Sequence, residues 1–159
     1  MQIFVLAVGR MKAGPEADLA ARYLERVGKG GRSVGISGIS VREIAESSAS
    51  RADDRKAEEA ASLKKLAAGY PIVALDETGR NLSSEDFAGL IGGEAEKGVS
   101  GLCLVIGGPD GLDPSLREEA IAAIAFGRMT WPHKLARAML AEQVYRAVTI
   151  LSGHPYHRA

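Results

Sequence analysis

The sequence predicts an α/β fold, with a mainly parallel sheet flanked by helices. Three observations predict it. Short apolar runs, IFVLAV (3–8), PIVAL (71–75) and LCLVI (102–106), read as strands buried on both faces. Stretches with apolar residues at helical spacing lie between and after them, so strand and helix alternate. The chain has 159 residues, 46% of them apolar and 25% charged, which suits one domain with its own core.

The elements follow in order. IFVLAV ends at Gly9. PEADLAARYLERV (15–27) has the periodicity of an amphipathic helix, and Gly28 is placed to stop it. RSVGISGISVREI (32–44) is broken by glycines and leans towards β structure. RADDRKAEEAASLKKLAA (51–68) reads as a charged helix with Ser50 as its N-cap. SSEDFAGLIGGEAEK (83–97) opens with serine and acids, which suit the positive end of a helix dipole. DPSLREEAIAAIA (113–125) places Asp113 at a cap and Pro114 in the first turn of a predicted helix. HKLARAMLAEQVYRAVTILS (133–152) is the last helix, with Leu140, Val144, Ala147, Val148 and Leu151 as its apolar stripe. Ala136, Met139 and Leu140 near its start offer apolar surface for a second copy of the chain.

Net charge is zero but unevenly spread. Residues 128–159 carry +4, residues 76–127 carry −7 and the first 75 residues +3. The balance argues against a generally nucleic-acid-binding surface, whereas the basic end argues for local phosphate contacts. The single cysteine, Cys103, sits inside an apolar run; it reads as a small buried hydrophobe in a reducing, cytoplasmic setting. The N-terminal MQIFVLAVG is too short to span a bilayer and lacks the pattern of a signal peptide. No membrane partner is expected.

Three stretches can carry chemistry. LVIGGPDGLDPS (104–115) runs from a buried strand through glycines into a capped helix, and ligands bind at such strand ends. It matches neither the P-loop nor the dinucleotide pattern, so it is either a ligand-facing turn or a plain tight turn. RMTWPHKLAR (128–137) holds the only tryptophan, made extended by Pro132. It is either the wall of a cleft or an ordinary helix start. The tail GHPYHR (153–158) concentrates two of the three histidines beside a tyrosine and an arginine. Zinc needs three or four ligands, and the favoured donors are too few and too scattered here, so no metal is expected.

Five segments, MQIFVLAVGRMK, VIGGPDGL, MTWPHKLAR, EQVYRA and HPYHR, occur in an order and at a chain length that resemble one family. The chain resembles the bacterial ribosomal RNA large subunit methyltransferase H family, within the SPOUT class of knotted methyltransferases. The resemblance implies a single domain over residues 1–159 with a deep C-terminal trefoil knot. It implies a homodimer that uses S-adenosylmethionine to methylate N3 of a pseudouridine in 23S ribosomal RNA, within the assembled ribosome. It also implies that Leu75, Gly107, Phe126, Gly127, Arg128, Met129, Thr130 and Trp131 hold the methyl donor. The donor carries a reactive sulfonium, so this chemistry requires no metal.

The tail is expected to fold back over the donor pocket and complete the active site. Tyr156 can stack on a base or cover the donor. His157 belongs to the side-chain type that titrates near neutrality and can take the N3 proton. Arg158 can grip a phosphate. His154 suits the end of the last helix. Two other readings stand beside this one: a ribosome-binding or assembly protein without turnover, and a small nucleotide-phosphate enzyme built on the GGPDG turn, which lacks the lysine that such a site uses.

Overall fold

A computed structural model describes residues 1–157. Five parallel strands form one sheet in the order β2-β1-β4-β3-β5: β1 Gln2–Val8, β2 Gly38–Ile44, β3 Ile72–Asn81, β4 Gly101–Ile106 and β5 Ala122–Ala125. The helices are α1 Pro15–Gly30, α2 Ala52–Ala67, α3 Ser84–Glu96, α4 Pro114–Glu119 and α5 His133–Leu151. The apolar runs take the central positions. Every residue of β4 is buried, because β1 and β3 flank it and helices cover both faces.

Alternation along the strands divides the core in two. Ile3, Val5, Leu102, Leu104 and Val73 face a cluster with α1, α3 and α5. Leu6, Val8, Cys103, Val105 and Ala74 face α2 and α4. Burial pushes the Cys103 thiol up to about 11, so it stays protonated as the buried hydrophobe that its sequence context predicts. The capping prediction for α3 holds in full: Ser83 accepts from the Asp86 N–H and the Asp86 carboxylate returns the bond. Asp113 likewise caps α4 through the Ser115 N–H.

Four expectations need correction. The predicted helix over 113–125 ends at Glu119, and residues 122–125 form the edge strand β5. Its Ala-rich sequence favours a helix, but the Ile121 N–H bonds to Ile72 O and the free edge of β3 captures the segment. Gly28 does not stop α1, which continues to Gly30; packing of α1 on α5 outweighs the roughly 1 kcal/mol that a helical glycine costs. Ser50 is not the cap of α2. Arg51 occupies that position without a side-chain bond, while Ser50 O accepts from Arg55. Leu151 leaves the apolar stripe and is exposed.

Strand β3 also runs further than PIVAL. Its pairing with β5 jumps from Leu75 to Arg80, so Asp76–Gly79 bulge out of the ladder at the carboxyl edge of the sheet. Gly79 permits this, because a Cβ there would lie 2.6 Å from the Ile124 backbone.

Candidate active site

A cleft of about 350 Å³ opens at the carboxyl edge of the sheet. Strand ends build its floor: Leu75 closes the regular part of β3, and Ile106 and Gly107 close β4. The Gly-rich turn 107–111 makes one wall and the bulge Asp76–Thr78 another. The segment from β5 to α5 makes the third, with Phe126, Gly127, Met129, Thr130 and Trp131 lining it. That segment links a strand to a helix, not two helices as the sequence suggested.

Each wall is held by a named contact. The Gly127 N–H donates to Asn81 Oδ1 at 3.0 Å, and Trp131 Nε1 donates to Phe126 O at 2.9 Å, closing the 126–131 loop on itself. A Cβ at Gly107 would lie 2.9 Å from the Gly111 backbone, so only glycine allows the turn to fold this closely. In the bulge, Asp76 Oδ1 accepts from the Thr78 N–H and hydroxyl and from Arg117 Nη1.

Of the donor-site residues that the resemblance implies, Leu75, Gly107, Phe126, Gly127, Met129, Thr130 and Trp131 line this one cleft. Arg128 does not. Its side chain is exposed and is not among the lining residues. Sequence reasoning missed the charged lining of Lys56, Asp76, Glu77 and Arg117. These come from three separate elements, and no local spacing marks them.

The family model described as predicted SPOUT methyltransferase matches residues 1–157. The chain belongs to the SPOUT methyltransferase family. A relative from Rhizobium etli is 57% identical over 159 residues, covers 99% of both chains and bears the name Ribosomal RNA large subunit methyltransferase H. One from Rhizobium meliloti with the same name is 56% identical over 160 residues and covers both chains completely. The solved structure of a probable methylase family protein from Haemophilus influenzae is 9% identical, with a TM-score of 0.52 over 99% of this chain and 70% of that one. That likeness speaks to the fold alone.

The described part of the tail, up to His157, folds back onto the helices and not onto the cleft. No residue from 154 to 157 lines it. Tyr156 packs on the helices instead: its hydroxyl donates to Glu142 Oε1 at 3.1 Å, its ring lies 4.8 Å from that of Tyr145, and the Arg146 guanidinium covers it at 5.0 Å. Burial, the Tyr23 hydroxyl and Glu142 push its phenol well above the ordinary range, so it stays protonated. His157 Nε2 lies 2.6 Å from Glu85 Oε1 and its Nδ1 lies 3.3 Å from Arg146 Nη1. Arg146 can only donate, so Nδ1 accepts and Nε2 carries the proton towards Glu85. The ring's lone pair is therefore already engaged. His154 sits past α5, its N–H on Thr149 O and its Nδ1 accepting from the Tyr156 N–H. Arg158 lies outside the described residues.

The distance matters. Glu142 stands six residues after Ala136, the last residue of α5 that lines the cleft, about 9 Å along the helix. Among the described residues no group of three or more His, Cys, Asp or Glu can hold a metal, and no helix is long and apolar enough to cross a membrane.

Proposed function

We propose that this chain is an S-adenosylmethionine-dependent methyltransferase of large-subunit ribosomal RNA, one catalytic domain per chain. Its target is N3 of a pseudouridine in the 23S RNA of the assembled ribosome, and it works in the cytoplasm as a homodimer. The reading is carried by 57% full-length identity to a relative named for this RNA, coupled to a cleft that gathers three separate segments at the strand ends.

The cleft suits the donor. Its volume of about 350 Å³ falls in the range of small-molecule sites. Backbone at the strand ends Leu75 and Gly107 suits the edge of an adenine, and Phe126, Met129 and Trp131 offer apolar cover for its face. Lys56 and Arg117 suit a carboxylate, and Asp76 and Glu77 suit an ammonium group. S-adenosylmethionine supplies an electrophilic methyl group on a sulfonium. The protein's own work is to hold that methyl in line with the target nitrogen. The nitrogen must also lose a proton, since an imide nitrogen is mostly protonated at neutral pH.

Tyr156, His157 and Arg158 serve the RNA side of the reaction, delivered by the second copy. Within one chain Tyr156 and His157 pack against α5 and do not line the cleft. The exposed Met129 and Leu135 support an apolar meeting of two chains. Incubation of the protein with ribosomes and labelled methyl donor, then chromatography of the digested nucleosides, tests the reading. Label on N3-methylpseudouridine is the expected result. Label on another nucleoside, or none, refutes it.

A further inference from the structure

We propose that Arg10, Lys12, Arg128 and Lys134 form a phosphate-gripping rim that seats RNA across the cleft mouth. The proposal rests on the functional reading above for the identity of the RNA. All four side chains are exposed, and none makes a salt bridge among the described residues. The cations around them behave differently: Arg55, Lys56, Arg117 and Arg137 are each paired with a carboxylate. Four unpaired cations are therefore left at one place.

The fold gathers them. Arg10 and Lys12 follow β1 and Arg128 follows β5, both at the carboxyl edge where the cleft opens. Lys134 stands in the first turn of α5. The loop carrying Arg10 and Lys12 is fixed to that helix. Arg137 Nη2 donates to the carbonyls of Val8 and Gly9, the Met11 N–H donates to Glu43, and the Met11 side chain packs on Ala20, Ala138 and Ala141. Lys134 precedes Ala138 by four residues, so it lies on the face that meets this loop.

Charge and apolar character both suit RNA. The segments 9–14 and 128–134 contain four cations and no acid. The nearby acids Glu16 and Glu46 lie against Gly14 and Gly9, and neither forms a salt bridge with Arg10 or Lys12. Trp131, 40% exposed, lies between Arg128 and Lys134 in the chain and offers a stacking surface for a base. Phosphate contacts position a nucleic acid, while apolar and polar groups nearer the cleft read it. Arg128, the one member of its run that does not line the cleft, gains a role on the RNA side of that wall.

The test compares wild type, the triple variant Arg10→Ala/Lys12→Ala/Lys134→Ala and Arg128→Ala in binding to purified ribosomes without methyl donor, over a salt series. The triple variant should bind at least tenfold more weakly. Its slope of log affinity against log salt should fall by about 2, since each lost single-strand phosphate contact removes about 0.7. Arg128→Ala should weaken ribosome binding and leave donor affinity, measured by calorimetry, unchanged. Unchanged ribosome affinity and salt slope in the triple variant overturns the rim. So does a triple variant whose sedimentation shows an altered oligomeric state, because the residues would then belong to a chain-to-chain interface. Wild type that binds ribosomes with this salt dependence but transfers no methyl refutes the proposed reaction while upholding the rim.

Discussion

Arg55 holds Asp110 with two nitrogens, Nε on Oδ2 at 2.7 Å and Nη2 on Oδ1 at 3.0 Å. Its remaining nitrogen, Nη1, donates to the carbonyls of Ala49 and Ser50. One planar guanidinium thus ties the start of α2 and the segment before it to the Gly-rich turn, 55 residues further along the chain. That turn walls the cleft, so Arg55 positions it without lining the cleft itself.

Lysine cannot reproduce this fork. Arg55→Lys keeps the charge and loses the second bond to Asp110 and the carbonyl contacts. Affinity for the methyl donor should fall three- to tenfold, about 0.7–1.4 kcal/mol, with little change in thermal midpoint. Calorimetry on the folded variant checks this. Full affinity would mean that the turn keeps its shape unaided.

The same pair sets a pH dependence. The bond from Arg55 holds the Asp110 carboxyl below the usual carboxylate range. A carboxyl group whose folded value is depressed stabilises the protein above its unfolded value, about 3.9, and that contribution vanishes as pH falls through the lower folded value. Asp113, depressed by its bonds to Ser115, acts in the same direction. Thermal midpoints measured from pH 6 to pH 2 should therefore fall below about pH 4 in wild type, and fall less steeply in Asp110→Asn. Parallel curves for the two proteins would remove Asp110 from the acid response.

Gly107 tests the floor of the cleft. An added Cβ would meet the Gly111 backbone and Leu112 Cδ2, both at 2.9 Å. Even Gly107→Ala must push the turn outward, and Gly107→Val more so. Donor affinity should drop at least tenfold in Gly107→Val, about 1.4 kcal/mol, while circular dichroism keeps the native spectrum. Unchanged donor affinity in that folded variant would falsify the assignment of the donor to this cleft.

Arg137 carries the opposite edge. It is buried, its Nη1 bonds Glu43 and its Nη2 bonds Val8 O and Gly9 O, while Nε has no partner. Arg137→Ala strands two backbone carbonyls and leaves Glu43 without its cation. The loss should be about 2–4 kcal/mol of unfolding free energy in a denaturant titration. A loss below about 0.5 kcal/mol would show that water or a shifted loop satisfies those carbonyls as well as the guanidinium does.

The sequence made β1, β4, the inner half of β3 and most of the helical scaffold legible, because long apolar runs and clear caps marked them. It hid β5, whose Ala-Ala-Ile-Ala carries no strand signal and is set by the open edge beside Val73 and Leu75. The bulge after Leu75 was hidden for a related reason: it depends on contact between Gly79 and the Ile124 backbone, which are distant in sequence. Local reading marked 104–115 and 128–137 as stretches that could line a cleft or be plain turns, and the family resemblance pointed to Leu75, Gly107 and the 126–131 run, of which all but Arg128 line the cleft. Its charged lining and its braces, Arg55 with Asp110 and Arg117 with Asp76, join residues far apart and leave no spacing to find. Arg137 did leave a trace. It falls on the buried stripe of α5 with Ala141, Val144 and Val148, where an unpaired charge is too costly to stand.

The tail yields the sharpest prediction, because its observed position conflicts with a role in its own cleft. Tyr156 and His157 are spent on Glu142, Arg146 and Glu85, and none of the residues from 154 to 157 lines the cleft. If these residues act on the RNA, they must leave that packing or serve a second chain. Removal of residues 154–159 deletes few buried groups, so the thermal midpoint should hold within a few degrees while methyl transfer falls by orders of magnitude. Full activity in the truncated protein would make the tail a dispensable end. Mixed dimers then separate the two routes. A truncated subunit retains an intact cleft, and a Gly107→Val subunit retains an intact tail. Each homodimer should be inactive. Co-expressed with two different affinity tags and purified as heterodimers, the pair should regain up to half of wild-type activity, since one cleft is then served by the partner's tail. Heterodimers as inactive as their parents would show that each tail must work on its own cleft, after leaving Glu142 and Arg146.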